Sequence, residues 1–110
     1  MPTPRMTLPT QAVLRTLIEH PTREFYGLEI CAAASLPSGT IHPILARLES
    51  LGWLASRWEE LDPRETGRPR RRYYSLTTDG AMQARRALAQ VDARAAKLNA
   101  LRPRFSGGRS

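Results

Sequence analysis

The residues best suited to chemistry in this 110-residue chain are five arginines within nine positions. They are Arg64, Arg68, Arg70, Arg71 and Arg72. A guanidinium group binds phosphate oxygens in a bidentate manner, and a cluster of like charges repels itself unless a polyanion neutralises it. The run therefore predicts contact with nucleic acid. The alternative is a solvated, charged hairpin.

A second group of candidates lies in residues 38–52. Apolar residues recur there at the spacing of an α-helix with one buried face, at Ile41, Ile44, Leu45, Leu48 and Leu51. The opposite face carries small residues flanked by two polar ones: Gly39, Pro43, Ala46 and Ser50, then His42 and Arg47. So slim a face can enter a DNA major groove, which is about 12 Å wide. The predicted DNA contacts are Ser38, Gly39, Thr40, His42, Pro43 and Arg47. The alternative is an ordinary amphipathic helix.

The charge of the whole chain agrees with a polyanionic partner. The formal net charge is +7, and Lys97 is the one lysine among 17 basic residues. Residues 1–60 hold five basic and six acidic residues, whereas residues 81–110 hold seven basic residues against Asp92. A localised basic excess indicates nucleic-acid binding. Arginine richness by itself is also a product of GC-rich codon usage.

Other classes of protein fit the sequence poorly. Cys31 is the only cysteine, so neither an intramolecular disulfide nor a cysteine-bound zinc is expected. His20, His42 and Cys31 match no catalytic or metal spacing, and no glycine-rich phosphate loop precedes a helix. We therefore expect no enzyme, cofactor or metal. The chain has neither an apolar run near 18 residues nor a signal segment, which predicts a soluble cytoplasmic protein with no membrane partner.

The elements that would position these residues follow the order α-α-α-β-β-α, a mainly α fold with a small β-wing. The predicted elements are helices at 8–19, 25–34 and from 38, strands at 53–60 and 70–76 around a loop at 61–69, and a helix from 78, with Thr7, Ser38 and Thr77 as caps. Two helices joined by a tight turn and followed by a basic hairpin indicate a winged helix-turn-helix. Tyr26 would donate its hydroxyl to a phosphate or pack, while Trp53 and Trp58 would pack in the core and the sheet.

The last helix carries a heptad pattern that predicts a homodimer. Ala81, Ala84, Leu88, Val91, Ala95 and Leu98 step by three and four residues. These side chains are small, so the predicted interface also includes Val13 and Leu17 of a partner's first helix. Packing within one chain is the alternative. The domain prediction is a flexible arm at 1–7, a DNA-binding domain at 8–76, a dimerisation helix at 77–101 and a disordered basic tail at 102–110.

Several motifs together resemble the PadR family of bacterial winged-helix transcriptional regulators. The matching residues are Gly27 and Glu29; Ser38, Gly39, Thr40, Pro43, Arg47, Leu48 and Glu49; and Gly67, Arg68, Pro69, Arg71, Arg72, Tyr73, Tyr74, Leu76 and Thr77. The resemblance covers about residues 8–90, and the single helix after the wing resembles the family's short branch. It differs at His42, where the family usually has tyrosine.

This resemblance implies a dimeric DNA-binding regulator, most simply a repressor. Two recognition helices would read half-sites about 10 bp apart on a pseudo-palindromic operator. Some small family members bind flat drugs between aromatic residues of the last helix, but residues 81–101 contain none, so a small-molecule inducer is left open and is not indicated by the sequence. The alternative function is a winged-helix module that binds another protein through the same surface.

Overall fold

The computed structural model describes residues 3–102, which form five helices and three short strands. In chain order these are α1 (Leu8–Ile18), β1 (Phe25–Tyr26), α2 (Gly27–Ala34), α3 (Ser38–Ser50), β2 (Leu54–Trp58), α4 (Pro63–Thr66), β3 (Arg72–Leu76) and α5 (Thr78–Ala100). The strands form an antiparallel sheet in the order β1-β3-β2. The architecture is the predicted winged helix-turn-helix, with β2 and β3 as the wing.

One core joins the helices to the inner side of the sheet. It is built from buried apolar side chains of every layer, including Val13, Leu14 and Leu17 of α1, Ile30 of α2, Ile41, Leu45 and Leu48 of α3, Trp53 before β2, and Ala84 and Leu88 of α5. The apolar stripe predicted for α3 is therefore buried, and its small face is exposed. This packing fixes which side of α3 a partner can reach.

The predicted helix over 25–34 was wrong at its start. Phe25 and Tyr26 are extended and pair with Tyr74 and Tyr73 of β3, so the sheet has a third strand. Aromatic residues favour strands, and burial of Phe25 within the sheet reinforces that preference. The helix begins only at Gly27, where the Glu29 carboxylate accepts a hydrogen bond from the backbone N–H of Tyr26 at 3.0 Å.

The predicted loop at 61–69 contains a helix of one turn, α4. Asp62 accepts a hydrogen bond from the backbone N–H of Arg64 at 2.9 Å, and Pro63 occupies the first helical position, where its missing N–H has no consequence. Gly67 ends the turn with φ of 70°. The order α-α-α-β-β-α therefore lacked both this helix and β1.

Within the predicted arm at 1–7, residues 1–2 lie outside the described residues, and part of the remainder packs on the domain. Pro4 is buried, Met6 lies against the core, and the backbone oxygen of Met6 accepts a hydrogen bond from Gln11 Nε2 at 2.7 Å. Thr7 caps α1 as predicted. Residues 103–110 of the predicted tail lie outside the described residues. Across residues 3–102, no helix combines the length and the apolar character needed to cross a bilayer.

Candidate nucleic-acid interface

The amino end of α3 exposes backbone groups beside its small side chains. Pro37, not Ser38, is the N-cap, because its carbonyl accepts hydrogen bonds from the N–H groups of Thr40 and Ile41 at 3.0 and 3.1 Å. Pro43 therefore lies beyond the first turn and has no N–H to give the carbonyl of Gly39. Gly39 and Pro43 are both exposed on the outer face of α3.

His42 has a fixed ring orientation at one edge of the exposed α3 face. Its Nδ1 donates a hydrogen bond to the carbonyl of Ser38 at 2.8 Å. A carbonyl can only accept, so Nδ1 carries the proton and Nε2 of the neutral ring is an acceptor. A Cβ added to Gly27 would lie 3.7 Å from Nε2, which shows that this atom faces the start of α2. The hydrogen bond thus fixes the orientation of the imidazole, with Nε2 on the side of α2.

A groove of about 560 Å³ runs between His42 and the wing, and we call it the wing groove. Its walls come from α2, α3 and the hairpin: Tyr26, Gly27, Leu28, Ser38, His42, Trp58, Arg68, Pro69, Arg70, Arg71, Arg72 and Tyr74. The fold therefore brings Ser38 and His42 of α3 together with four of the five predicted arginines, whereas the other predicted α3 contacts, Gly39, Thr40, Pro43 and Arg47, do not line this groove. Burial raises the pKa of the Tyr74 phenol at its floor.

Two wing arginines bind carboxylates of the chain itself. Arg68 donates to both oxygens of Glu59 at 2.7 and 3.1 Å. Arg72 donates to Ser56 Oγ at 2.8 Å and lies 3.5 Å from Glu49 of α3. Such pairs hold the hairpin in shape and join it to α3. The guanidinium groups of Arg68 and Arg72 are thus engaged within the fold.

Arg70 and Arg71 are arranged differently. The Arg71 guanidinium lies over the ring of Tyr26, 4.0 Å from its centroid, and Arg70 Nε donates to the carbonyl of Leu61 at 3.1 Å. Within residues 3–102 neither is paired with a carboxylate. The positive charge of the wing groove therefore comes mainly from these two residues. Arg64 is exposed on α4 and does not line the groove.

The Arg68–Glu59 pair predicts how the stability of the wing depends on pH. The guanidinium of Arg68 lowers the pKa of Glu59 from 4.5 to about 2, helped by a hydrogen bond from the Arg71 backbone N–H. A carboxyl group whose pKa is lower in the folded than in the unfolded protein stabilises the fold at pH values above its unfolded pKa. This stabilisation is lost as the pH falls from about 4.5 to about 2. We expect Glu59→Gln to have a lower Tm than the parent near neutral pH. The difference in Tm should disappear as the pH falls from about 4.5 to about 2. Thermal melting of parent and variant between neutral pH and about pH 2 measures this difference. A difference in Tm that stays constant over the whole range would contradict the prediction.

The predicted dimerisation residues divide into two groups. Val13, Leu17, Ala84 and Leu88 are at most 5% exposed in the core of the single chain, so a partner cannot contact them and that part of the prediction was wrong. Val91 is half-buried, whereas Ala95 and Leu98 are exposed. The cause is that the heptad pattern extends over two environments. The first half of α5 packs inside the chain, and the second half projects beyond it.

Trp58 is a groove residue that the sequence did not reveal. Strand alternation placed it with Leu54 and Ser56, and we expected it to pack. Along β2 this face passes from buried at Leu54 to exposed at Trp58, which is 56% exposed at the groove with Arg72 over its ring at 5.3 Å. Alternation identifies a face but not the point where the core ends. In the part of the chain that the structure describes, no three His, Cys, Asp or Glu residues cluster as a metal site.

Comparison with known proteins decides the family. The model of the transcriptional regulator PadR-like family matches residues 13–86, which run from the middle of α1 through α2, α3 and the wing to the ninth residue of α5. The chain belongs to the PadR-like family of transcriptional regulators. Family and fold are those of regulators, which are generally not enzymes.

Solved structures with a similar fold include two PadR-family proteins and AbfR. A PadR-like transcription factor from Bacteroides fragilis is 26% identical, with a TM-score of 0.64, over 84% of this chain and 88% of that one. A PadR family regulator from Eggerthella lenta is 26% identical, with a TM-score of 0.67, over 86% and 83%. AbfR, solved in an overoxidized form bound to DNA, is 26% identical, with a TM-score of 0.63, over 80% and 59%. A comparison with curated protein sequences gave no match.

Proposed function

We propose that this PadR-family chain is a dimeric, sequence-specific DNA-binding repressor that acts in the cytoplasm. The observation that carries the proposal is the wing groove, where His42 of α3 faces the same space as Arg70 and Arg71. A slim helix face beside unpaired arginines matches duplex DNA in shape and charge. The related AbfR has been solved bound to DNA, which supports the same class of partner.

The two sides of the groove would have different tasks. Ser38, Thr40, His42 and Pro43 would reach base edges in the major groove, because their face of α3 is polar and slim. Arg70 and Arg71 would bind phosphates, which fixes the register of the protein without reading sequence. The exposed positions of Arg64 and Arg47 suit weaker phosphate contacts.

A substitution at His42 separates these tasks. We expect His42→Ala to change which base is preferred at one position per half-site, since a good base contact discriminates by about 1–3 kcal/mol. Overall affinity for unrelated duplexes should stay close to that of the parent. Selecting bound duplexes from a random library with parent and variant measures both. Identical selected sequences would remove His42 from the reading surface.

The second half of α5 is the proposed dimer interface. Leu98 and Leu101 are 61% and 73% exposed, and together with Val91 and Ala95 they form an apolar stripe. The ion pair between Arg15 and Asp92, at 2.8 Å, joins this helix to α1 at the point where it leaves the core. A stripe of exposed apolar residues at heptad spacing is typical of a helix that pairs with a copy of itself.

A charge in this stripe should dissociate the dimer. We expect Leu98→Asp to be a monomer at concentrations where the parent is a dimer, because two carboxylates would face each other across the seam. Ala96→Asp, on the same helix but off the stripe, is the matched control and should remain dimeric. Sedimentation velocity distinguishes these states. A parent that is monomeric, or a control that dissociates equally, would contradict the interface.

A further inference from the structure

A second groove lies on the other edge of α3 and is separate from the wing groove. It has a volume of about 320 Å³ and we call it the arm groove. The first described residues form one wall and α3 the other; the lining is Thr3, Pro4, Arg5, Thr7, Thr10, Pro43, Ile44, Arg47 and Leu48. Its surface is mostly apolar, with two arginines.

The local packing of the first residues points Arg5 outward. Pro4 is buried and Met6 is half-buried against the core, so the residue between them is exposed in an extended segment. The hydrogen bond from Gln11 to the backbone of Met6 and the Thr7 cap hold this segment beside α1. Within residues 3–102, neither Arg5 nor Arg47 is paired with a carboxylate.

The two grooves border the exposed face of α3 on opposite sides. His42 lines the wing groove and Arg47 lines the arm groove. Five positions on a helix of 3.6 residues per turn correspond to a rotation of about 140°. A helix about 10–12 Å in diameter fills a major groove about 12 Å wide. A strand of the duplex must then pass along each side of the helix.

We infer that the arm groove binds the sugar-phosphate backbone of the strand on that side of α3. Arg5 and Arg47 donate to its phosphates, while Ile44 packs against its deoxyribose. This inference rests on the proposed function and adds the segment 3–7 to the DNA-binding surface. Its support is charge complementarity: a mostly apolar groove with one unpaired guanidinium on each wall matches a chain of apolar sugars joined by anions.

The test is the affinity of the full-length Arg5→Ala variant for a duplex that was obtained with the parent protein in the random-library selection. A lost phosphate contact lowers the slope of log K against log salt by about 0.9, so a dimer that loses two should lose about 1.8. We expect about ten- to thirtyfold weaker binding at about 0.15 M salt. Lys97→Ala removes the same charge from an exposed site on α5 and should match the parent. In hydroxyl-radical footprinting, the parent should protect the backbone of one strand beside each half-site, and Arg5→Ala should lose this protection.

Restoration of affinity by Arg5→Lys would support a phosphate contact, since lysine keeps the charge. If Arg5→Ala and Lys97→Ala both bind like the parent while a wing variant binds weakly, the arm groove does not contact DNA. A parent that fails to bind duplex at low salt would instead overturn the proposed function. The two failures are therefore distinguishable.

Discussion

Among the glycines of residues 3–102, Gly80→Ala should be the most destabilising single substitution to alanine. A Cβ at Gly80 would lie 2.0 Å from the carbonyl oxygen of Trp53 and 2.6 Å from its carbonyl carbon. These are backbone atoms of the turn before β2, and Trp53 itself is buried, so neither side can move freely. We expect a loss of about 3–5 kcal/mol in the free energy of unfolding.

The close contact exists because α5 begins against this turn. The N–H of Thr77 donates to the carbonyl of Trp53 at 3.0 Å, and the Thr77 hydroxyl donates to the carbonyl of Gly52 at 2.8 Å. Thermal unfolding should show a fall in Tm of roughly 15–25 °C for Gly80→Ala. Gly39→Ala is the matched control, since nothing lies within 4 Å of its added Cβ. If both variants melt within a few degrees of the parent, the description of this junction is wrong.

Removing both unpaired wing arginines should have the largest effect on DNA binding. Arg70→Ala/Arg71→Ala takes away two phosphate contacts per chain and four per dimer, which lowers the salt slope by about 3–4. Affinity at about 0.15 M salt should fall on the order of 10²- to 10³-fold for selected and unrelated duplexes alike. This uniform loss is the signature of residues that position the protein without specifying sequence.

A control variant with the same loss of charge tests whether the weaker binding comes from Arg70 and Arg71 themselves or only from the lower net charge. Arg85→Ala/Lys97→Ala removes two exposed positive charges from α5, outside both grooves, and should change affinity only slightly. Circular dichroism and Tm confirm folding, which matters because Arg71 packs over Tyr26. Fluorescence anisotropy with a labelled duplex gives affinity and slope. An unchanged slope in the wing variant, or an equal loss in the control, would reject the assignment.

Local patterns predicted the helices because each has a periodic apolar stripe and a recognisable end. The stripe of α3 and the Thr7 and Thr77 caps depend on residues within one or two turns. Strand β1 was missed because two residues carry no period, and its pairing partner Tyr74 lies 49 positions away. Sequence motifs likewise predicted a set of DNA contacts but could not separate Arg68 from Arg71, whose surroundings depend on Glu59 and Tyr26.

Glycine illustrates the same limit. A glycine in a helix is unfavourable unless something approaches closely, and Gly27, the first residue of α2, would be a candidate for such a contact. The structure gives Gly27 ordinary spacing from His42 and places the tight approach at Gly80, against a backbone 27 positions earlier. The sequence shows which glycines lie in a helix, but only the tertiary fold shows at which of them a neighbouring backbone leaves no space for a Cβ.

The most direct measurement is the salt dependence of duplex binding by the full chain. The proposed Arg5, Arg47, Arg70 and Arg71 contacts amount to eight per dimer, so the affinity for a selected duplex should fall about 10³- to 10⁵-fold between about 50 and 200 mM salt. A scrambled duplex should bind more weakly at each salt concentration. No duplex binding at the lowest salt, or affinity independent of salt, would contradict the account and favour a module that binds another protein.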